Sequence, residues 1–257
     1  MTIFSAIILG IIEGLTEFLP VSSTGHLILA SRLLELSETS FIKSFNIIIQ
    51  LGAILAVLVL YWRRLLVNPR ILGRVVAAFL PTAVVGLLVY PLVKSYLLDN
   101  VTVVIWALLL GGLFLIFFEK KFGEKPEALA DLEKLSWTQS VLIGLAQSVA
   151  IIPGVSRSAA TIVVGLALGL SRAAVVEFSF LLAIPTLAAA TGLDLIKSSA
   201  NFTTDQIWLL VVGLVTSFVV AILAIKTFLA YVRQNDFELF GLYRVILALI
   251  FMVVFFL

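Results

Sequence analysis

The chain has 257 residues, of which 62% are hydrophobic and 12% charged, and its mean hydropathy is +1.21. Soluble domains have about 45–50% apolar and about 25% charged residues, so the composition excludes a soluble globular domain and indicates an integral membrane protein. The formal net charge of +2 is too small to indicate a nucleic-acid partner, and the absence of cysteine excludes disulfides, thiolate metal sites and a cysteine nucleophile.

The first predicted element, residues 2–35, is mostly apolar but has a polar centre, PVSSTGH at 20–26. It is too short for two crossings, which need about 40 residues. Pro20 interrupts a single continuous helix near its middle. We therefore predict a re-entrant hairpin, in which a half-helix enters the membrane, turns at depth and returns to the same side. Such a turn is tolerated only inside protein or beside a watery cavity, so full spans should enclose it.

The same pattern recurs in the second half of the chain, where GLAQSVAIIP at 144–153 resembles GIIEGLTEFLP at 10–20. We predict a first repeat at residues 1–125, a cytoplasmic linker at 126–138 and a second repeat at 139–257, and we expect the charged stretch 119–134 to be a solvated connector. The second repeat should begin with its own re-entrant hairpin, at 139–170. The other apolar runs are long enough to cross about 30 Å of hydrocarbon. These predicted spans are 43–62, 73–93, 101–118, 174–196, 206–227 and 240–257.

The parity of the spans predicts an inverted-topology repeat. Each half crosses the membrane three times, so the second half enters from the opposite side, and the functional site should lie near the midplane where the halves meet. Positive charge in the loop after the first span and in the linker places both segments in the cytoplasm. Both termini then lie outside, and the site should open to the outer, periplasmic side. The basic residues of that first loop are Arg63, Arg64, Arg70 and Arg74.

Two acids lie within the first predicted hairpin. Glu13 and Glu17 are four residues apart, so on a helix they share a face with about 5–6 Å between Cβ atoms. Two buried carboxylates that close repel each other, so either one holds a proton or a cation lies between them. Carboxylate oxygens together with phosphate oxygens suit Mg²⁺ or Ca²⁺. The alternative is that one glutamate merely lines a wet crevice and pairs with Arg157.

Each hairpin also offers the start of a returning half-helix, predicted near Gly25–His26 in the first hairpin. A helix start presents unpaired N–H groups and partial positive charge, which suits phosphate oxygens. Arg157 adds a planar guanidinium that can bind phosphate in a bidentate manner. Capping of the helix is the alternative role for each single hydroxyl. The hydroxyl residues at these two starts are Ser22, Ser23 and Thr24, then Ser156 and Ser158.

Ser23 and His26 are the candidates for nucleophile and proton carrier. Ser23 with a nearby base would attack a phosphoryl group, and His26 can exchange a proton near neutral pH. A lone histidine is also often only a hydrogen-bonded structural residue. The sequence leaves open whether Ser23, His26 or a metal-bound water attacks. Glu177 and Gln50, within spans after the hairpins, either orient the site or support packing.

EGLTEFLPVSSTGH at 13–26, PGVSRSAAT at 153–161 and EFSFLLAIP at 177–185 resemble motifs of the bacterial undecaprenyl-pyrophosphate phosphatase family, the bacitracin-resistance type. The resemblance implies an enzyme of the bacterial cytoplasmic membrane. It would remove the terminal phosphate from a C55 polyprenyl diphosphate and so recycle the lipid carrier of cell-wall synthesis. It also implies a divalent cation, Mg²⁺ or Ca²⁺, bound by Glu13 and Glu17. The implied catalytic residues are Glu13, Glu17, Ser23, His26 and Arg157, and the implied phosphate-binding residues are Thr24, Ser156, Arg157, Ser158 and Thr161.

Two other functions fit part of the pattern. Inverted repeats, broken helices and a midplane anion site are also transporter architecture, so a carrier that flips polyprenyl phosphate is the main alternative. A non-catalytic lipid-binding partner of envelope enzymes is the second alternative. Ser23 and His26 discriminate, because hydrolysis needs a nucleophile and a proton carrier in addition to the anion site. The expected partners are the polyprenyl diphosphate substrate and membrane lipid, with a homodimer possible and no nucleic acid.

Overall fold

The computed structural model describes residues 1–37, 39–97, 100–125, 127–198 and 202–256. Pro126 of the predicted linker and Leu257 of the last predicted span therefore lie outside the described residues. Within the described ranges the regular structure is helical, with one isolated backbone bridge between Leu129 and Leu170. Six helical segments there are long and apolar enough to cross a membrane. The prediction of an all-α polytopic membrane protein is confirmed.

Eleven α-helices lie in the described part of the chain, together with short 3₁₀ turns at Leu132–Lys134 and Ser148–Ile151. The helices are α1 (Ile3–Thr16), α2 (Ser23–Leu33), α3 (Ser40–Ile48), α4 (Gln50–Leu66), α5 (Pro69–Tyr96), α6 (Val101–Phe122), α7 (Trp137–Gln147), α8 (Arg157–Ala167), α9 (Arg172–Ser198), α10 (Thr204–Val232) and α11 (Glu238–Phe256). The candidate spans are α3 and α4 together, α5 as far as Val89, α6, α9 as far as Leu193, α10 and α11.

The four helices α1, α2, α7 and α8 are too short to span a membrane. They have 14, 11, 11 and 11 residues, which at 1.5 Å per residue is about 16–21 Å, against about 30 Å of hydrocarbon. Each pair packs together and is joined by a turn that contains Pro20 or Pro153. Proline lacks an N–H and clashes with a continuing helix, which explains the break. Both prolines are buried, so each turn lies inside the protein.

The two halves of the chain interlock through these short helices. Helix α1 packs mainly on α10, and α7 packs mainly on α5, while α4 lies on α9 and α6 lies on α11. Small residues allow the close approach: a Cβ added to Gly14 would lie 2.6 Å from the carbonyl oxygen of Ser217 on α10, and one added to Gly144 would collide with the backbone of Ala78 on α5. The turn of each hairpin is thus held within the other half of the molecule.

The predicted linker is not fully solvated. Leu132 and Leu135 are 1% and 0% exposed and belong to the main hydrophobic core. The backbone of Leu129 bonds to Gly169 and Ser171 in the connection between α8 and α9. The prediction that residues 119–134 form a solvated connector is therefore wrong at Leu132, which packs into the hydrophobic core.

Candidate active site

The turns of the two hairpins touch. The hydroxyl of Ser158, at the start of α8, donates a hydrogen bond to the carbonyl oxygen of Leu19 in the first turn, at 2.7 Å. One residue away, Arg157 Nη2 lies 3.3 Å from Glu17 Oε1, and these side chains are only 10% and 5% exposed. Residues that are more than a hundred positions apart in sequence therefore form a single buried polar centre.

The two acids of this centre have different surroundings. Glu17 accepts from Arg157 through Oε1, and its Oε2 accepts a short hydrogen bond from the hydroxyl of Ser23. Glu13 is 0% exposed, and neither of its carboxylate oxygens has a hydrogen-bond partner among the described residues. Burial of an uncompensated carboxylate is costly. Glu13 therefore needs a bound proton or a cation, as the sequence predicted for the pair.

Both returning helices begin at this centre with the same capping geometry. Ser22 and Ser156 are the N-caps of α2 and α8, and each hydroxyl accepts from the backbone N–H three residues on, at 3.3 and 3.2 Å. Their backbone φ values are +71° and +77°, a region that residues with a side chain rarely adopt. Helix α2 begins at Ser23, two residues earlier than predicted, so by position Ser156 corresponds to Ser22. Ser23 and Arg157 are consequently the first residues of the two helices.

Arg157 is held from two sides, by Glu17 and by Ser179 on α9. Its Nη1 donates to the carbonyl oxygen of Ser179 on α9 at 2.8 Å, and its buried Nε has no partner among the described residues. Thr161 lies one turn further along α8, fully buried, with its hydroxyl 2.8 Å from Ser179 Oγ. The Thr161 hydroxyl also lies 3.0 Å from the Ser158 carbonyl oxygen, so its hydrogen bonds in this structure are made within the protein, and its phosphate-binding role stays a prediction.

His26 does not contact Ser23 as its base. Its Nδ1 lies 2.8 Å from the carbonyl oxygen of Ser22, and its Nε2 lies 2.7 Å from the hydroxyl of Tyr243 on α11. A carbonyl can only accept, so Nδ1 carries the proton, and Nε2 accepts from the tyrosine in the neutral ring. The hydrogen-bond acceptor for the Ser23 hydroxyl is the Glu17 carboxylate.

The other predicted residues lie around this centre or away from it. Thr24 follows Ser23 in the first turn of α2 and is partly exposed. Glu177 Oε1 lies 2.6 Å from Arg64 Nε in an ion pair. This pair links α9 to α4, which fits the predicted packing role. Gln50 is the first residue of α4.

Sequence reasoning missed Arg244. This arginine on α11 is 0% exposed, and within the described ranges its guanidinium donates to backbone carbonyl oxygens alone. Nη1 bonds to Pro20 at 3.2 Å and to Val155 at 3.0 Å, while Nη2 bonds to Gly154 and Ala107, each at 2.9 Å. One side chain thus joins both hairpin turns to α6.

A signal for this residue exists in the sequence. Arg244 is the only charged residue in the predicted span 240–257. A charged residue within a membrane span is costly and by default marks a functional site. The neighbouring Tyr243, which bonds His26, carries no such signal, because tyrosine is common in membrane helices near an interface.

The carboxylates fit a divalent cation only in part. Within the described residues no group of three or more acidic, histidine or cysteine side chains could hold a metal ion. Glu13 offers two free oxygens beside Glu17. Mg²⁺ is commonly bound through one or two carboxylates together with substrate phosphates and water. The pair therefore suits a cation that arrives with a phosphorylated substrate.

The fold and this centre define a polytopic helical membrane protein with a buried carboxylate, arginine and serine site at the meeting point of two helical hairpins. Residues 6–250 match the sequence model of the family described as "Bacitracin resistance protein BacA". The chain belongs to this family.

Curated relatives cover nearly the whole chain and carry one name, undecaprenyl-diphosphatase. The relative from Aquifex aeolicus is 47% identical over 251 residues, which are 98% of this chain and 98% of that protein. Those from Bdellovibrio bacteriovorus and Wolinella succinogenes are also 47% identical, over 98% of this chain and 96% and 98% of their own lengths.

Proposed function

We propose that this protein is an undecaprenyl-diphosphatase, which hydrolyses undecaprenyl diphosphate to undecaprenyl phosphate and inorganic phosphate. The observation that carries the proposal is the hydrogen bond from the Ser23 hydroxyl to Glu17, beside Arg157 and two converging helix starts. Hydrolysis needs a nucleophile and a proton acceptor in addition to an anion site, and this centre offers all three. The function accounts for bacitracin resistance as a family property, since it recycles the lipid carrier of cell-wall synthesis.

The diphosphate would bind at the two helix starts. The first N–H groups of α2 and α8 and the guanidinium of Arg157 favour phosphate oxygens. Thr24, Ser156 and Ser158 lie at these starts. The Ser158 hydroxyl donates to the Leu19 carbonyl and lies 3.0 Å from Ser156 Oγ, so a bound phosphate would replace these hydrogen bonds as it accepts from the two serines. The prenyl chain stays in the surrounding lipid.

Chemistry begins at Ser23. Its Oγ attacks the terminal phosphorus, and its proton passes to the Glu17 carboxylate. The new Oγ–P bond forms as the P–O bond to undecaprenyl phosphate breaks. Water then displaces Oγ from the phosphorus, and Ser23 regains a proton as inorganic phosphate leaves. His26, through its bond to the Ser22 carbonyl, keeps the α2 cap in place and is a second proton carrier.

A divalent cation, Mg²⁺ or Ca²⁺, held by Glu13 and Glu17 with the diphosphate, would offset the negative charge of the phosphates. The two buried, partnerless oxygens of Glu13 support this assignment. Repulsion between Glu13 and the diphosphate would otherwise oppose binding.

The proposed topology is the inverted repeat, with repeats at 1–125 and 139–257 around the linker 126–138. Two reciprocal contacts support it: the first half-helix of each half, α1 or α7, packs against the second full span of the other half, α10 or α5. The positive charges then place the linker in the cytoplasm, both termini outside and the site open to the outer face of the cytoplasmic membrane.

Phosphate release tests the function. Purified protein in detergent is incubated with undecaprenyl diphosphate and Mg²⁺ or Ca²⁺, with and without EDTA, and compared with Ser23→Ala. We expect release from the wild type, little in EDTA and little from the variant. If the intact wild type releases no phosphate with either cation, the phosphatase assignment is wrong and a carrier becomes the better interpretation.

A further inference from the structure

Arg244 is a buried cation that no acid neutralises within the described residues. Two other arginines with largely buried side chains are paired with carboxylates: Arg157 with Glu17, and Arg172 with Glu119. Arg244 has carbonyl oxygens alone. A guanidinium removed from water without a counter-ion is expensive. Its four hydrogen bonds to backbone carbonyl oxygens therefore take the place of a counter-ion in stabilising the buried guanidinium.

The contacts fall next to the caps of the two helices that form the anion site. The Val155 carbonyl belongs to the peptide bond that enters Ser156, the cap of α8. The Pro20 carbonyl lies two residues before Ser22, the cap of α2. The same nitrogen, Nη1, holds both carbonyls, so it fixes the separation of the two turns.

The facing helix is shaped for this side chain. A Cβ added to Gly111 on α6 would lie 2.9 Å from Arg244 Cζ and closer still to Nη2. Every other residue type would push the guanidinium away from α6 and from the Ala107 carbonyl that it bonds. The glycine and the arginine thus form one fitted contact behind the turns.

We propose that Arg244 is a positioning residue for phosphate transfer: by holding the Pro20 and Val155 carbonyls on one nitrogen, it sets the alignment of Ser23 in one turn with Arg157 in the other. The inference rests on the proposed phosphatase function. Arg244 acts from behind the backbone of the turns and touches no reacting atom. A misplacement of about 1 Å can cost about 10²-fold in rate, so this alignment matters for turnover.

The test is Arg244→Lys, assayed for kcat and KM on undecaprenyl diphosphate and for thermal unfolding in detergent. Lysine keeps the charge but cannot reach four carbonyls in the geometry of a planar fork. We expect kcat per folded molecule to fall about 10- to 100-fold, with a smaller change in KM because Arg157 and the helix starts remain. The matched control is Arg172→Lys, which weakens a half-buried ion pair outside the site. It should lower the unfolding temperature comparably and leave kcat unchanged.

Gly111→Ala supplies a second perturbation that leaves the arginine itself intact. It should lower kcat in the same direction, whereas Gly86→Ala, whose added Cβ would be 3.9 Å from Ile151, should not. If Arg244→Lys and Gly111→Ala both keep kcat within about twofold of the wild type, the positioning role is refuted while the phosphatase function stands. Failure of the wild type to release phosphate would instead refute the function itself.

Discussion

Glu17→Gln removes the carboxylate that would accept the Ser23 proton but keeps the shape of the side chain. Glu17 faces two hydrogen-bond donors, Arg157 and Ser23. A glutamine can direct its carbonyl oxygen to Arg157 and its amide N–H to Ser23 Oγ, so both contacts can persist. The change makes the Ser23 hydrogen bond a neutral one and leaves the buried Arg157 without its carboxylate partner, and breaking a buried ion pair costs about 3–5 kcal/mol. Because glutamine keeps both hydrogen bonds, we expect a loss of unfolding free energy at the lower end of that range, about 3 kcal/mol.

Glu17→Gln also has an expected kinetic effect. The variant has no carboxylate to accept the Ser23 proton, and general-base catalysis contributes about 10²–10⁴-fold. That range corresponds to about 2.7–5.5 kcal/mol in the activation free energy. We expect kcat to fall by that factor while the protein remains folded.

Glu119→Gln is the matched control. Glu119 is a buried carboxylate paired with Arg172, so the same substitution removes a similar charge outside the site. Both variants are measured by phosphate release and by thermal unfolding in detergent. A Glu17→Gln protein with less than a tenfold loss of kcat would refute Glu17 as the proton acceptor, since the loss would fall below the range for a general base.

Three further predictions follow from the site and the topology. Glu13→Gln should raise the Mg²⁺ or Ca²⁺ concentration needed for half-maximal phosphate release, and an unchanged cation dependence would remove Glu13 as a ligand. Tyr243→Phe deletes the hydroxyl that bonds His26 and should lower kcat less than tenfold, because Ser23 keeps its acceptor; a loss as large as that of Glu17→Gln would assign the histidine the larger part in proton transfer. The chain has no cysteine, so single cysteines at the exposed positions Thr204 and Gln234, at opposite ends of α10, can be labelled in intact cells with a membrane-impermeant maleimide; only Thr204→Cys should react, and labelling of Gln234→Cys would reverse the proposed orientation.

Much of the fold could be predicted because lipid imposes simple rules on sequence. Apolar length alone predicts the full spans, and a proline within a short apolar segment predicts a break. Pro20 and Pro153 indeed lie in buried turns between short helices. The linker was predicted less well, since Leu132 and Leu135 are buried by residues distant in sequence.

The sequence predicted which residues form the site but not which of them bond to one another. The motifs place Glu17, Ser23 and Arg157 near the turns, and the structure brings them into contact. Whether Ser23 bonds a glutamate or His26 depends on where α2 begins and on which way each side chain points, and sequence spacing specifies neither. Arg244 was missed because its partners are backbone carbonyls of three other segments, which leave no pattern of complementary residue types.

The backbone of the two caps explains why the halves must act together. Ser22 and Ser156 both have φ near +75°, and such a conformation costs about 1–3 kcal/mol for a residue with a side chain, so it persists only where surrounding contacts enforce it. The contacts that do so come largely from elsewhere in the chain: Arg244 of α11 holds the carbonyls beside both caps, and Ser158 holds the first turn. Each hairpin supplies only some of the groups that hold its own cap, such as His26 on the Ser22 carbonyl, and the remaining contacts come from the other half of the chain. A helix start that is strained when isolated is thus held in place only when both turns and α11 are assembled, so the geometry of the proposed phosphate site depends on contacts from the whole fold.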